Sequence, residues 1–169
     1  MRESNVRQEV LKRIKVLDPQ PVENPISPGC PDVEYVGGWI ELKYLDKYPA
    51  RMYISVIRVP HFTDIQRYWI KKRVRAGGTV FLMIRIVNDW FLLPGKKAAE
   101  HLGINWVRKD LIDNSVGHWL GQLPPSAELV TILAGKTLGN GCETGHATGD
   151  RVSPEMEAGR PVDSGSGGP

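Results

Sequence analysis

Two β-like runs flank the dipeptide Gly37-Gly38, and this hairpin constrains the fold more than any other stretch. A Pro31-Asp32 pair starts the first run and Glu41-Leu42-Lys43 ends the second. Glycine enters the positive-φ conformations of a tight two-residue turn without strain. With both glycines in the turn, the register is set. Val36 then faces Trp39, Tyr35 faces Ile40, Glu34 faces Glu41, Val33 faces Leu42 and Asp32 faces Lys43. Opposed residues share a sheet face, as do residues two apart. Asp32, Glu34, Glu41 and Lys43 therefore project from one face. Val33, Tyr35, Ile40 and Leu42 form the apolar other face.

The polar face has a chemistry. Directly opposed Cβ atoms lie roughly 5 Å apart and diagonal ones about 7–8 Å. Two carboxylates at such spacing can share a hard cation, and a nearby lysine completes the groups needed to hydrolyse a phosphodiester. The same three residues also suit an ordinary solvated hairpin, where cross-strand Asp–Lys pairs add a few tenths of a kcal/mol. Glu34 opposite Glu41 would repel it unless a cation lies between them or a bulge turns it away.

The rest of the chain reads as alternating helices and strands. Val6, Val10 and Ile14 at i, i+4, i+8 predict a helix over 4–17 with Ser4 as N-cap. Pro19, Pro21 and Pro25 give an extended connection. Residues 52–59 read as a strand ended by Pro60. Thr63 or Asp64 caps a helix to Arg75, and Gly77-Gly78 stops it. A buried strand over 79–87, a turn at Asn88-Asp89 and a short strand over 90–93 follow. Helices are expected over 96–102, 108–120 and 125–134. The order α-β-β-β-α-β-β-α predicts an α/β fold, a mixed sheet with helices on both sides. From Gly135 onward Gly, Ser, Thr and Pro dominate and aromatics are absent, so 135–169 is expected to be a disordered tail after a domain over 1–134. Cys142 and His146 in that tail read as incidental.

Composition sets limits on class. The 169 residues suffice for one domain with a real core, and 41% apolar content is ordinary. No run approaches the ~18 apolar residues of a membrane span, and the N-terminus lacks a signal-peptide core. Cys30 and Cys142 are the two cysteines, with no zinc-type spacing. A cytoplasmic protein without membrane contact is expected. Residues 1–134 carry 19 Lys and Arg against 14 Asp and Glu, a surplus that permits nucleic-acid binding. No Gly-x-Ser-x-Gly elbow, Walker loop or Rossmann fingerprint occurs.

Met1-Arg2-Glu3-Ser4-Asn5-Val6 opening a helix, Ser27-Pro28-Gly29 with Pro31-Asp32, Ile40-Glu41-Leu42-Lys43, Gln66 in a following helix, and Ala76-Gly77-Gly78 before an apolar strand come in an order of their own. Over about residues 1 to 90 this order resembles the PD-(D/E)XK nuclease superfamily, and more closely its VRR-NUC branch, common in bacteriophages. The chain departs from that pattern in the long stretch 44–64 and beyond residue 90. The resemblance implies a restriction-endonuclease-like core. It implies Asp32 and Glu41 as ligands of Mg²⁺ or Mn²⁺, the Leu42 carbonyl completing the metal shell, and Lys43 near the attacking water and scissile phosphate. Glu3 becomes the first-helix acid and Gln66 the flanking glutamine. Glu3 is equally suited to the positive end of the helix dipole. One ion or two both remain open, with Glu3 and Glu34 as spare ligands.

Arg67, Lys71, Lys72, Arg73 and Arg75 are expected on the exposed arc of the helix over 64–75, with Ile65, Trp69, Ile70 and Val74 inward. Such a run contacts DNA phosphates or is a solvated face with cations suited to the dipole. Tyr68 either stacks on a base or packs. The expectation is a metal-dependent DNA endonuclease, a hydrolase cutting branched or flapped DNA in phage replication, recombination or repair, in the host cytoplasm if phage-encoded. The alternative is a catalytically inactive nucleic-acid-binding protein on the same fold. A homodimer is a further expectation, with the extended 44–61 segment either pairing with a second subunit or lying beside the DNA.

Overall fold

The computed structural model describes residues 3–22 and 29–135, without the side chains of Glu3 and Ser4. Helix α1 (Glu3–Arg13) buries Val6 and Val10, Ile14 just beyond it continues the stripe expected from their spacing, and a 3₁₀ turn (Lys15–Leu17) follows. The helix already includes Ser4, so Ser4 is not its N-cap. Strands β1 (Gln20–Pro21), β2 (Val33–Tyr35) and β3 (Gly38–Leu45) follow. Helix α2 (Asp64–Arg75) leads to β4 (Val80–Ile86) and β5 (Asp89–Pro94). Helices α3 (Gly95–His101) and α4 (Arg108–Asn114), strand β6 (Gly117–Leu120) and helix α5 (Ser126–Leu133) complete the described elements.

Among the described residues the six strands form one mixed sheet in the order β1-β2-β3-β4-β5-β6. Only the β3–β4 pair is parallel, which the α2 crossover makes possible. Each sheet face has its own core. Leu82, Ile84 and Ile86 of β4 and Phe91 and Leu93 of β5 meet Ile70, Ala98, Ala99 and Leu111 of α2, α3 and α4. Ile40, Leu42, Met83, Trp90 and Leu92 meet α1 and α5. This is the expected α/β arrangement with helices on both sides.

The hairpin register differs from the expected one by two residues. Val33 pairs with Ile40, Glu34 with Trp39 and Tyr35 with Gly38. Gly37 has a positive φ of 112°, while Gly38 does not and begins β3. Gly38 is glycine for space: a Cβ there would lie 2.6 Å from the Thr79 carbonyl oxygen and 2.8 Å from the Tyr35 hydroxyl. A two-residue slide preserves the faces, because side chains alternate with period two. Glu41 and Lys43 therefore keep their face, and Glu34 moves opposite Trp39 and is exposed.

Two elements differ in kind. Residues 51–55 are turns and 56–59 join no strand ladder, although Ile57 and Val59 are buried. Both neighbours of β3 are taken by β2 and β4, so the alternating segment packs on the core without a partner strand. The strand expected over 52–59 is therefore not part of the sheet. The helix expected over 108–120 stops at Asn114, and 117–120 instead pair antiparallel with β5. Of the tail expected over 135–169, residues 136–169 lie outside the described residues. Among those described, no helix is long and apolar enough to cross a membrane.

Candidate active site

Strand β3 is the spine of the site. Its even residues Ile40 and Leu42 fill the core against α1, so its odd residues Trp39, Glu41 and Lys43 face α2. Glu41 is fully buried and Lys43 is 4% exposed. A buried carboxylate needs compensation. Lys43 Nζ supplies it at 2.6 Å from Glu41 Oε1, and Gln66 Nε2 donates to the same oxygen at 2.6 Å.

Asp32 reaches the same place from the neighbouring strand. Extending the observed register one residue before β2 puts Asp32 opposite Glu41, where the expected register had put Lys43. Its Oδ2 accepts the backbone N–H of Leu42 at 2.8 Å. That bond holds the Asp32 carboxylate beside the Glu41–Leu42 peptide. The loop before it is tight. Gly29 has a φ of 89°, and a Cβ there would lie 2.8 Å from both the carbonyl oxygen and Cγ2 of Ile65. Only a glycine lets this approach pack on the start of α2. Ser27 and Pro28 lie outside the described residues, as does the Glu3 side chain.

The start of α2 carries the third contact. Thr63 caps the helix: its hydroxyl accepts the Gln66 N–H at 3.3 Å, and Gln66 Oε1 accepts the Thr63 N–H at 3.0 Å. This capping box fixes the Gln66 side chain. Its amide nitrogen is left aimed at Glu41. Cys30 lies half-buried by the same loop, and burial, with Glu34 next, pushes its thiol pKa up.

The donor set can be tested against a metal. Among the described residues no group of three or more His, Cys, Asp or Glu side chains is gathered to hold an ion. Two carboxylates, Asp32 and Glu41, are too few for a closed zinc or calcium cage. They match a Mg²⁺ site, which keeps several waters and takes one or two carboxylates plus substrate phosphate oxygens.

The basic run of α2 divides. Lys71, Lys72, Arg73 and Arg75 are exposed as expected. The Arg67 side chain is only 11% exposed. Its guanidinium donates to the carbonyls of Ala99 at 3.2 Å and Leu102 at 2.7 Å, and lies 4.2 Å above the Phe62 ring. Burial lowers its pKa. Arg67 is thus a clamp on the end of α3, which corrects its expected place on the DNA-facing arc. Arg73 lies 4.1 Å over the Trp39 ring, and Trp39 meets Trp69 edge-on at 5.8 Å. Ile65, expected inward, is 53% exposed, and Tyr68 is 68% exposed.

A second polar cluster was not expected. Asp89 is buried at the β4–β5 turn and accepts bonds from the Tyr48 hydroxyl and from Arg108, Nη2 at 2.8 Å and Nε at 3.2 Å. His118 Nε2 lies 3.7 Å from Asp89 Oδ1, its ring stacked on Phe91. The cluster ties the connection after β3 to β5 and α4. Asp89 next to Asn88 carried only a turn signal, and Tyr48 and Arg108 sit at positions with no periodicity. No protein-family model matches the chain, and no curated protein matches it.

Proposed function

We propose that this protein is a metal-dependent deoxyribonuclease of the PD-(D/E)XK type, hydrolysing phosphodiester bonds with Mg²⁺ or Mn²⁺. The observation that carries the reading is the convergence of Asp32, Glu41, Lys43 and Gln66, drawn from the residue before β2, from β3 and from the start of α2. Those are four of the residues the sequence pattern singled out; strand alternation puts the first three on one face, and the Gln66 contact from α2 is the part that no periodicity requires.

Asp32 and Glu41 would hold the ion, with the Leu42 carbonyl beside them. Gln66 orients the Glu41 carboxylate, and the Leu42 amide orients that of Asp32. Bound there, the ion supplies a water of lowered pKa and polarises the phosphoryl oxygen. Lys43 sets a positive charge beside the carboxylates, where negative charge builds on phosphate oxygens as one P–O bond forms and another breaks. The exposed cations of α2, the helix that carries Gln66, offer phosphate contacts.

Cleavage of labelled linear, single-stranded, flapped and branched DNAs tests the reading, run with Mg²⁺, Mn²⁺ and chelator on wild type and Glu41→Ala. Metal-dependent cutting that the variant lacks is expected. DNA binding without any cutting would replace this reading with the inactive, binding-only one.

A further inference from the structure

The outer face of α2 combines features that a merely solvated helix does not need. Tyr68 and Ile65 project into solvent with 68% and 53% of their surface exposed. Around them the exposed side chains are cationic. Lys71, Lys72 and Arg75 follow Tyr68 at i+3, i+4 and i+7, so one ring and three charges form a single stripe. Asp64, at the N-terminal end, is the acid of the helix. Beside the stripe runs a groove of about 380 Å³ between α2 and α3, lined by Lys71, Val74, Arg75, Lys96 and Glu100. Three of those five are cations, with Glu100 the acid among them.

The N-terminal end of this face adjoins the loop that carries Asp32, while Gln66 points from the opposite side of α2 toward the sheet. Gln66, in the first turn of α2, is bonded to Glu41, and Ile65 packs against Gly29, three residues before Asp32. We propose that this face is a track for single-stranded DNA, with an unpaired base stacked on Tyr68 and phosphates held by Lys71, Lys72, Arg75 and Lys96. This rests on the nuclease reading and gives it a substrate class: DNA with a single-stranded segment beside the bond that is cut.

Charge and shape favour that occupant. Two apolar side chains among four cations are too little apolar surface for a protein partner and suit a polyanion. A ring standing out from a helix offers its face only to a base whose own face is open. Bases in a duplex are stacked on their neighbours, whereas those of a single strand can be splayed onto aromatic side chains.

The test is binding in chelator, so that cleavage plays no part. A labelled single strand and the matching duplex are titrated against wild type, Tyr68→Ala, Tyr68→Phe, and the single alanine variants of Lys71, Arg75 and Lys96. Tyr68→Ala should weaken the single strand by about tenfold or more and leave the duplex nearly unchanged, and Tyr68→Phe should bind like wild type. Each lysine or arginine variant should lower the salt slope for the single strand by about 0.7. A fluorescent adenine analogue in the strand should be quenched by wild type and not by Tyr68→Ala. Because Tyr68 is exposed, the variant should melt with wild type, which circular dichroism checks. Unchanged single-strand affinity in Tyr68→Ala, equal losses for strand and duplex, or a wild type that prefers duplex overturns this inference alone if metal-dependent cleavage persists. A wild type that neither binds nor cuts DNA overturns the nuclease reading with it.

Discussion

Gln66 holds Glu41 with the same side chain that closes the N-terminus of α2: its Nε2 donates to Glu41 at 2.6 Å while its Oε1 accepts the Thr63 N–H at 3.0 Å. The helix start and the buried acid are therefore coupled through one amide. Gln66→Glu separates the two roles, since glutamate also completes a capping box but sets a second carboxylate against Glu41. Two such groups cannot both ionise cheaply, so the pair should titrate above the ordinary glutamate range in the fold. A raised carboxyl pKa means that stability is lost as pH rises through it. The variant should match wild type near about pH 4 and fall behind by about pH 7 in urea midpoints. A difference that does not change with pH would show that the two side chains do not face each other. Gln66→Ala keeps the Thr63 cap on the residue-66 N–H but strips a hydrogen bond from the buried Glu41 carboxylate, and should cost about 1.5–3 kcal/mol at neutral pH.

Lys43 and Glu41 form a buried pair at 2.6 Å, so each is costly to remove alone. Lys43→Met should lower stability by about 3–5 kcal/mol at neutral pH, because it strands the Glu41 charge. The double variant Lys43→Met with Glu41→Gln should recover most of that loss. Mg²⁺ should raise the melting temperature of Lys43→Met more than that of wild type, since a cation at Glu41 replaces the missing one. Thermal melts with and without the ion check this, and equal shifts in both proteins would remove Glu41 from the metal site.

Asp32→Asn isolates charge from architecture. Asparagine keeps an oxygen able to accept the Leu42 N–H, the bond seen at 2.8 Å. Stability should stay within about 1 kcal/mol of wild type while metal-dependent cleavage is lost. Asp32→Ala loses the acceptor as well and should cost about 1–3 kcal/mol. Cleavage that survives in Asp32→Asn would take this carboxylate out of the chemistry.

Strand alternation placed Glu41 and Lys43 on one face and Ile40 and Leu42 on the other, and helix periodicity placed Val6, Val10, Ile14 and Ile70 inward. These features are local and survive a register error of two. The register itself was not legible, because Gly38 looks like a turn glycine and is instead demanded by Thr79 and Tyr35, which are distant or hidden in the sequence. The same holds for 52–59, whose alternation is real but finds no free strand edge. Arg67 looked like one more cation of α2, and only the arrival of α3 gives its guanidinium carbonyls to bind. The Asp89 cluster joins residues 41 and 19 positions away, which no window of sequence brings together.

Arg67 and Lys72 should respond oppositely to alanine. Arg67→Ala removes bonds from a charged, mostly buried group to the end of α3 and should cost about 1.5–3 kcal/mol. The salt dependence of DNA binding should not move. Lys72→Ala should leave stability within about 0.5 kcal/mol and reduce the single-strand salt slope by about 0.7. Denaturant melts and binding at several salt concentrations read both, and a reduced slope in Arg67→Ala would return that residue to the DNA-facing set.

Tyr48 makes the fold sensitive to alkali. Burial first, and then the hydrogen bond to Asp89, push its phenol well above the ordinary tyrosine value of 10.0. The unfolded chain releases that proton near about pH 10 while the folded chain keeps it. Between those two values the native state binds more protons, so stability is full below the unfolded pKa and falls as pH rises above it. Tyr35, whose hydroxyl meets the Leu133 carbonyl at 3.3 Å, is raised by burial and acts in the same direction. Urea midpoints should therefore drop between about pH 8 and about pH 11, less steeply in Tyr48→Phe, and least in the variant with Tyr35→Phe as well. Tyr48→Phe should be less stable than wild type near pH 8, having lost its bond to Asp89, so the two curves should converge as pH rises. Curves that run parallel would show that Tyr48 ionises as easily in the fold as outside it.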